Sequence, residues 1–221
     1  MSDGPAPPFG GHGRPLNADA AAAFERCIVD GGVAIFPADT VYGLAVDPEA
    51  EAAVSRLHAL KRRDPDMPSA VMFFALEPVL AALPDLGPRT RGALERLLPG
   101  PLTLIVPNPA RRYPLACVAN PERIGVRVPE LVGPLAPLAA VGRPVLQSSA
   151  NLHGGADPRR LTDVPAEIRA AADLVLDGGE LPGVASTVVD LSRYEDDAEH
   201  TVLREGAISR AEVAELLAGA D

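Results

Sequence analysis

Two periodicities of apolar residues alternate along the chain and predict helices and strands in turn. The helical period runs through "ADAAAAFERCIVDG", which Asn17 can cap and which stops at Gly31-Gly32. A second helix, "EAEAAVSRLHALKR", is opened by Asp47-Pro48, with the proline at the N1 position that tolerates it. Further helices are predicted in "PRTRGALERLLPG", in "PAEIRAAA" and after a capping box at residues 209–212.

Nine short apolar runs are strand candidates, and together they predict at least seven strands. They lie in "VAIFP", "SAVMFF", "LTLIVP", "LACVAN", "IGVRVP", "PVLQSSAN", "LVLDGG", "STVVDLS" and "TVLREG". Some strands follow one another without an intervening helix, which predicts a mixed rather than a purely parallel sheet. The predicted fold class is α/β: one compact domain over residues 17–221, with a twisted mixed sheet flanked by helices. A Gly- and Pro-rich leader over residues 1–16 is predicted to be disordered.

Composition and charge narrow the classes of function. The net charge of −10 argues against a generally basic surface that coats nucleic acid, so a bound anion must be held locally by a few arginines. No apolar run approaches the ~18 residues of a membrane span, and the N-terminus has no signal-peptide core, so a soluble, cytoplasmic protein is expected. The two cysteines and four histidines show no metal-binding spacing, so no protein-held metal is expected.

Polar residues gather where the predicted strands end, which is where α/β proteins usually bind ligands. These clusters are residues 39–42, residues 148–151 and Ser186-Thr187. Lys61, the only lysine of the chain, lies in the basic triplet at residues 61–63, at or just past the end of its predicted helix.

Each of these features also has a purely structural interpretation. The basic triplet could complement the helix dipole, and residues 148–151 could form a cap and turn. Arg127 interrupts the apolar strand "IGVRVP", and a buried charge needs a partner, so it could belong to a buried salt bridge. Arg204 in "TVLREG" raises the same question.

Seven sequence blocks, taken together and in order, resemble the L-threonylcarbamoyladenylate synthase family of the YrdC type. They are "PADTVYGL" at 37–44, Lys61-x-Arg63, "PGPLTLIV" at 99–106, "GVRVP" at 125–129, "SANLHG" at 149–154, "STVVD" at 186–190 and "LREGAI" at 203–208. The resemblance spans roughly residues 20–215. It implies the short form of the family, without an extra C-terminal domain.

The resemblance implies a reaction in which threonine, bicarbonate and ATP give threonylcarbamoyl-AMP and pyrophosphate. Mg²⁺ is expected to arrive with ATP. The product is expected to pass to a separate tRNA threonylcarbamoyl transferase complex for modification of tRNA.

The resemblance also assigns site residues. Lys61 and Arg63 are the expected catalytic pair on the ATP phosphates. The expected ATP-binding set is Lys61, Arg63, Ser149, Asn151, Asp157 and Arg204. The expected threonine-binding set is Thr40, Arg127, Gln147 and Ser186, with Arg127 as the natural partner of the substrate carboxylate.

The chain departs from the family pattern at several positions of these blocks. They are Ala38, Asp64, Met67, Met72 and His153, of which Ala38 and Met72 fall in the threonine-side blocks. Two alternative functions are therefore weighed: a diverged, nucleotide-binding paralogue that transfers another carbamoyl group, and a double-stranded RNA-binding module. The latter would use an arginine stripe formed by residues 62, 63, 111, 112, 159 and 160.

Overall fold

The computed structural model describes residues 13–219, which form ten strands, eight α-helices and two 3-10 helices. The strands are β1 (Arg14–Pro15), β2 (Ala34–Pro37), β3 (Tyr42–Val46), β4 (Ala70–Met72), β5 (Leu102–Pro107), β6 (Arg123–Arg127), β7 (Val145–Ser149), β8 (Leu174–Asp177), β9 (Thr187–Asp190) and β10 (Thr201–Arg204). The α-helices are α1 (Ala18–Val29), α2 (Glu51–Lys61), α3 (Leu76–Ala82), α4 (Pro88–Leu97), α5 (Pro114–Cys117), α6 (Ala166–Ala171), α7 (Tyr194–Asp197) and α8 (Arg210–Ala218). The 3-10 helices are Gly133–Ala140 and Leu161–Asp163.

All ten strands join one sheet in the order β1-β8-β2-β3-β7-β4-β6-β5-β9-β10. The sheet is mixed, as predicted: β2 and β3 form an antiparallel hairpin, whereas β4 with β6 and β5 with β9 are parallel. The α/β fold class is thereby confirmed. Within residues 13–219 there is no helix whose length and apolar content would let it cross a membrane.

Successive residues of a strand point to opposite faces of the sheet, and this alternation builds two apolar clusters. Ile35, Leu44 and Val71 belong to the larger cluster, together with buried residues of α2, α4 and α8. Their chain neighbours Phe36, Ala45 and Met72 belong to the smaller cluster, which α1 covers. The smaller cluster holds three aromatic rings with centroids 5.2–6.5 Å apart, those of Phe24, Phe36 and Phe74.

Helix ends follow the predicted capping chemistry at α1 and α8. The Asn17 side chain accepts a hydrogen bond from Ala20 N at 2.8 Å, and Ser209 and Glu212 form the predicted capping box. The start of α2 differs from the prediction. This helix begins at Glu51, and Pro48 lies in the preceding turn, where the Asp47 carboxylate accepts a bond from Glu49 N at 2.8 Å.

The prediction of a strand in "LACVAN" is wrong. Residues 114–117 form the one-turn helix α5, flanked by left-handed backbone at Tyr113 (φ 51°) and by Val118 (φ 37°). The Asn108 amide closes this loop on itself, because it donates to the carbonyls of Arg112 at 2.9 Å and Pro121 at 3.0 Å. Strand β3 and helix α3 were not predicted.

The predicted domain boundary at residue 17 is also corrected. Arg14 and Pro15 form β1, which pairs in parallel with β8, so the domain includes residues that the sequence assigned to the leader. Residues 1–12 of that leader lie outside the described residues.

Gly206 offers a test of the packing between the residues just before β9 and the loop after β10. A Cβ added at Gly206 would lie 2.2 Å from the carbonyl oxygen of Ala185 and 2.8 Å from that of Ser186. We expect Gly206→Ala to lower the free energy of unfolding by about 1–3 kcal/mol, because the backbone must shift to relieve the overlap. Urea denaturation measures this change.

The matched control is Gly92→Ala at a half-buried position inside α4. There the added Cβ would meet only the Arg96 guanidinium, at 3.7 Å. This variant should raise the stability by about 0.5–1 kcal/mol, because alanine suits a helix interior better than glycine. Equal effects at the two positions would contradict the close approach described for Gly206.

Candidate active site

A cavity of about 660 Å³ lies over one face of the sheet. Alternate residues of single strands form its floor: Arg123, Gly125 and Arg127 on β6, and Thr103 and Ile105 on β5. The residues between them belong to the larger apolar cluster on the opposite face. The prediction that ligands meet residues at strand ends is therefore incomplete, since the cavity also spans the sheet face between those ends.

The cavity brings together nine of the ten residues assigned to ligands. They are Lys61, Arg63, Arg127, Gln147, Ser149, Asn151, Asp157, Ser186 and Arg204. The tenth, Thr40, is 1% exposed and accepts a hydrogen bond from Arg127 Nη2 at 2.5 Å. Their individual roles stay predictions.

The cavity wall is cationic although the chain is acidic. Five basic side chains line it, Lys61, Arg63, Arg123, Arg127 and Arg204, against the two carboxylates of Asp157 and Asp190. The chain as a whole carries a net charge of −10. This local excess of positive charge suits an anionic ligand such as a nucleotide or a carboxylate.

Lys61 is the last residue of α2 and is 2% exposed. Its Nζ donates to the carbonyl oxygen of Asn151 at 2.9 Å, to Asn151 Oδ1 at 2.8 Å and to the carbonyl oxygen of Ser149. Burial, and then the nearby charge of Arg63, lower the pKa of the Lys61 ammonium to about 8, against the opposing charge of Asp157. A lysine placed only to complement the helix dipole would not be buried in this way.

The chain turns sharply after Lys61, and this turn separates two neighbouring arginines. Arg62 adopts the left-handed conformation (φ 51°) and its exposed side chain pairs with Glu167 at 3.2 Å. Arg63 is half-buried and faces the cavity, where it donates to Ser148 Oγ at 3.1 Å and to the Pro68 carbonyl at 2.5 Å. Burial lowers the pKa of the Arg63 guanidinium.

Residues 149–157 form a turn held together by the Asn151 side chain. Asn151 Nδ2 donates to the carbonyl oxygens of Gly155 at 2.8 Å and Ala156 at 3.2 Å, and to Asp157 Oδ1 at 3.3 Å. Asn151 Oδ1 accepts from Ser149 Oγ at 2.7 Å as well as from Lys61. Of residues 148–151, which were interpreted as a cap and turn, Ser148 and Ser149 end β7 and the turn begins after them; this turn forms one wall of the cavity.

Arg127 belongs to a buried ion pair, which confirms the structural interpretation of this residue. Its Nη2 pairs with Asp39 Oδ1, and the exposed fractions of the two side chains are 3% and 7%. The other carboxylate oxygen of Asp39 accepts from Glu130 N at 3.1 Å. Both hydrogen bonds that the described residues make with the Arg127 side chain leave from Nη2, while Nε is buried with no hydrogen-bond partner among the described residues.

A second polar group joins β5, β9 and β10. The hydroxyls of Ser186 and Thr103 are 2.8 Å apart, and Arg204 Nη2 donates to the Ser186 carbonyl at 2.7 Å. The sequence analysis missed Thr103, although it lies in the quoted block "PGPLTLIV", and it named Asp39 only as a member of the polar cluster at residues 39–42, without a role. It also missed Arg123, whose spacing of four residues from Arg127 on a strand places both on one face.

The departures Ala38 and Met72 do not lie on the cavity wall described by residues 13–219. Both are buried in the smaller apolar cluster. Met67 and His153 do line the cavity. The changes at residues 38 and 72 therefore alter the packing beside the cavity rather than its lining.

The arginine stripe proposed for RNA binding is largely neutralised. Arg62 pairs with Glu167, Arg111 pairs with Glu122, and Arg159 and Arg160 both pair with Glu180. Paired arginines contribute less to a field that attracts phosphates. Within residues 13–219, no group of three or more His, Cys, Asp and Glu side chains is arranged to hold a metal ion.

Residues 26–206 match the family model Sua5/YciO/YrdC, which is described as "Telomere recombination". The chain belongs to the Sua5/YciO/YrdC family. This confirms the resemblance that the seven sequence blocks suggested.

One similar protein is a threonylcarbamoyl-AMP synthase of Chromohalobacter salexigens. It is 39% identical to this chain over 187 residues, which cover 80% of this chain and 94% of that protein. A threonylcarbamoyl-AMP synthase of Pyrococcus abyssi is 29% identical over 198 residues, which cover 89% of this chain but 56% of that protein. The solved structure of P. abyssi Sua5 complexed with L-threonine matches with a TM-score of 0.79 at 26% identity, over 91% of this chain and 58% of that chain. This Sua5/YciO/YrdC chain thus spans little more than half of the P. abyssi relatives.

The buried pair predicts a large effect of Asp39→Asn on stability. The substitution leaves the Arg127 cation buried without its counter-charge, so the free energy of unfolding should fall by about 3–5 kcal/mol. The control is Glu122→Gln, which removes the partner of Arg111 from a pair whose side chains are 66% and 58% exposed. That change should cost less than about 1 kcal/mol in the same urea titration. Equal losses in the two variants would contradict the role of burial.

Proposed function

We propose that this protein is an L-threonylcarbamoyl-AMP synthase. The amine of threonine and bicarbonate form a carbamate with loss of water, a carbamate oxygen attacks the α-phosphorus of ATP, and pyrophosphate leaves. The observation that carries the proposal is the cationic cavity, whose wall contains nine of the ten residues expected from the sequence. Its volume of about 660 Å³ falls within the ~300–1,000 Å³ typical of small-molecule sites.

Transfer of a nucleotidyl group needs positioning and neutralisation of charge more than it needs a protein nucleophile. Arg63 and Arg204 present planar guanidinium groups, which suit phosphate oxygens, and Lys61 adds a compact charge behind them. The other residues assigned to ATP, Ser149, Asn151 and Asp157, lie beside Lys61 in the turn after β7. Negative charge on the phosphates and on the departing pyrophosphate would be balanced at this end of the cavity.

The amino acid is assigned to the Arg127 region of the cavity. The guanidinium is held at Nη2 by Asp39 and Thr40, which fixes its plane, and we assign the remaining nitrogen Nη1 to the substrate carboxylate. Ser186 and its partner Thr103 supply hydroxyl groups on the floor, and Gln147 supplies an amide on the wall.

Mg²⁺ is assigned to the substrate, bound to the phosphates of ATP. Of the two carboxylates on the cavity wall, Asp190 is already bonded to Arg123 at 3.0 Å and to Ser192 N at 2.8 Å. The product is a mixed anhydride of a carbamate and a phosphate. Such a compound is an activated acyl donor, and we assign its consumption to a separate transferase that moves the threonylcarbamoyl group to tRNA.

The direct test is an assay of pyrophosphate release with ATP, threonine and bicarbonate, and with each omitted in turn, while the product is identified by its mass. Pyrophosphate release that depends on all three substrates, with the mass of threonylcarbamoyl-AMP, is the expected result. ATP turnover without threonine, or a product of another mass, would favour the diverged paralogue.

Arg63 and Arg62 form a matched pair for testing the site, because they are adjacent in sequence but face different ways. Arg63→Gln should lower kcat/KM for ATP on the order of 10²-fold, since it removes a charge that stabilises the phosphates. Arg62→Gln removes only an exposed pair with Glu167 and should stay within about twofold of the parent. Similar losses in both variants would show that the cavity-facing direction of Arg63 does not matter.

Selectivity for threonine should depend on its hydroxyl. A site that hydrogen-bonds a substrate hydroxyl rejects the analogue without it on the order of 10⁴-fold, whereas loss of one methyl group costs only ~1–3 kcal/mol. Pyrophosphate release should therefore be slowest with valine and intermediate with serine. Equal rates with valine and threonine would contradict a hydroxyl partner on the cavity wall such as Ser186.

A further inference from the structure

The contacts of Lys61 raise a question about how this cation can act on a nucleotide. An ammonium group has three protons and no acceptor capacity. All three protons of Lys61 are directed to oxygens of the turn after β7: two main-chain carbonyls, of Ser149 and Asn151, and Asn151 Oδ1. Lys61 thus contributes its charge to the cavity while its hydrogen bonds are used within the protein.

The Asn151 side chain is equally occupied. Its Oδ1 accepts from Lys61 Nζ at 2.8 Å and from Ser149 Oγ at 2.7 Å, which uses both lone pairs. Its two amide protons are shared among three oxygens, those of Gly155, Ala156 and Asp157, at 2.8–3.3 Å. The opposite orientation of the amide would place its protons against the Lys61 ammonium, so the network itself fixes which atom is oxygen.

We propose that Asn151 is a positioning residue that acts through Lys61, rather than a residue that contacts the nucleotide. Asn151 holds the ammonium at a fixed point beneath the cavity and, with the same side chain, closes the turn that forms the cavity wall. The catalytic consequence rests on the proposed function, but the arrangement itself does not.

Three observations support a positioning role. Asn151 is 7% exposed and Lys61 is 2% exposed, so neither group can rely on water for its hydrogen bonds. Every polar atom of the Asn151 side chain has a partner within the protein. The two residues are also 90 positions apart in the chain, so the contact fixes the end of α2 against the turn after β7.

The chain offers a clean measurement, because Lys61 is its only lysine. Protein labelled with ¹³C at lysine Cε, made with a lysine-free tag, gives one resonance whose pH titration reports the Lys61 pKa in the absence of any substrate. The free protein should titrate near pH 8. Asn151→Asp places a carboxylate at the atom that touches Nζ and should raise the midpoint by about 1–3 units.

The matched control is Asn120→Asp. Asn120 also lines the cavity, but the described contacts of Lys61 do not include it, so the same added charge should shift the midpoint much less. Equal shifts in the two variants, or no shift in Asn151→Asp, would overturn the proposal. The measurement needs no substrate, so its outcome is independent of which reaction the protein catalyses.

A second measurement needs no variant. The ammonium of Lys61 should give an observable ¹H–¹⁵N signal at neutral pH in the unaltered protein, because its protons are buried and hydrogen-bonded and exchange slowly with water. A signal lost to rapid exchange would show that the turn does not hold the ammonium. That result would overturn the proposal even if Asn151→Asp failed to fold.

Discussion

A buried cation must be surrounded by oxygen atoms, because its desolvation otherwise costs the folded protein several kcal/mol of stability. Two cations of this protein, Lys61 and Arg127, are almost fully buried at the same cavity. Lys61 meets this requirement with three oxygens of the turn after β7, and Arg127 with Asp39 and Thr40. In both cases the partners lie 87–90 residues away along the chain. The positive charges that would bind substrate are therefore also the contacts that join distant segments around the cavity.

The sheet makes this convergence possible. On one face of the sheet, helices cover the larger apolar cluster. On the other face, α1 covers only the smaller cluster. The uncovered surface of β4, β5, β6 and β9 on that face is the cavity floor. Small residues form the middle of that floor. A Cβ added at Gly125 would meet Ala70 at 3.6 Å and Thr103 at 3.8 Å. Small residues in the middle and cations around them leave room for a ligand between fixed charges.

Much of this arrangement could be predicted from the sequence, because the blocks that build the site are local and have distinctive residues. The capping residues and the mixed sheet followed from such patterns, and the grouping of nine site residues followed from the resemblance of the seven blocks to the family. The failures came from contacts that are distant along the chain or that depend on side-chain direction. Residues 114–117 were assigned to a strand because they are apolar, whereas the Asn108 amide folds that segment into a closed loop. The sequence indicated that a buried Arg127 needs a partner, but it did not identify Asp39 as that partner.

The geometry at Lys61 explains why a chain with nineteen arginines keeps one lysine. Three oxygens, from two main-chain carbonyls and one amide, converge on a single nitrogen. An ammonium can direct one proton to each, because its three donors diverge from one atom, whereas a guanidinium spreads five donors over a plane and needs more room. Arg63 and Arg204, in contrast, reach into the open cavity, where a planar group can meet phosphate oxygens. The division between one lysine and several arginines therefore follows from where each charge stands: the buried charge must fit a converging set of oxygens, and the charges on the wall must match a planar or tetrahedral anion.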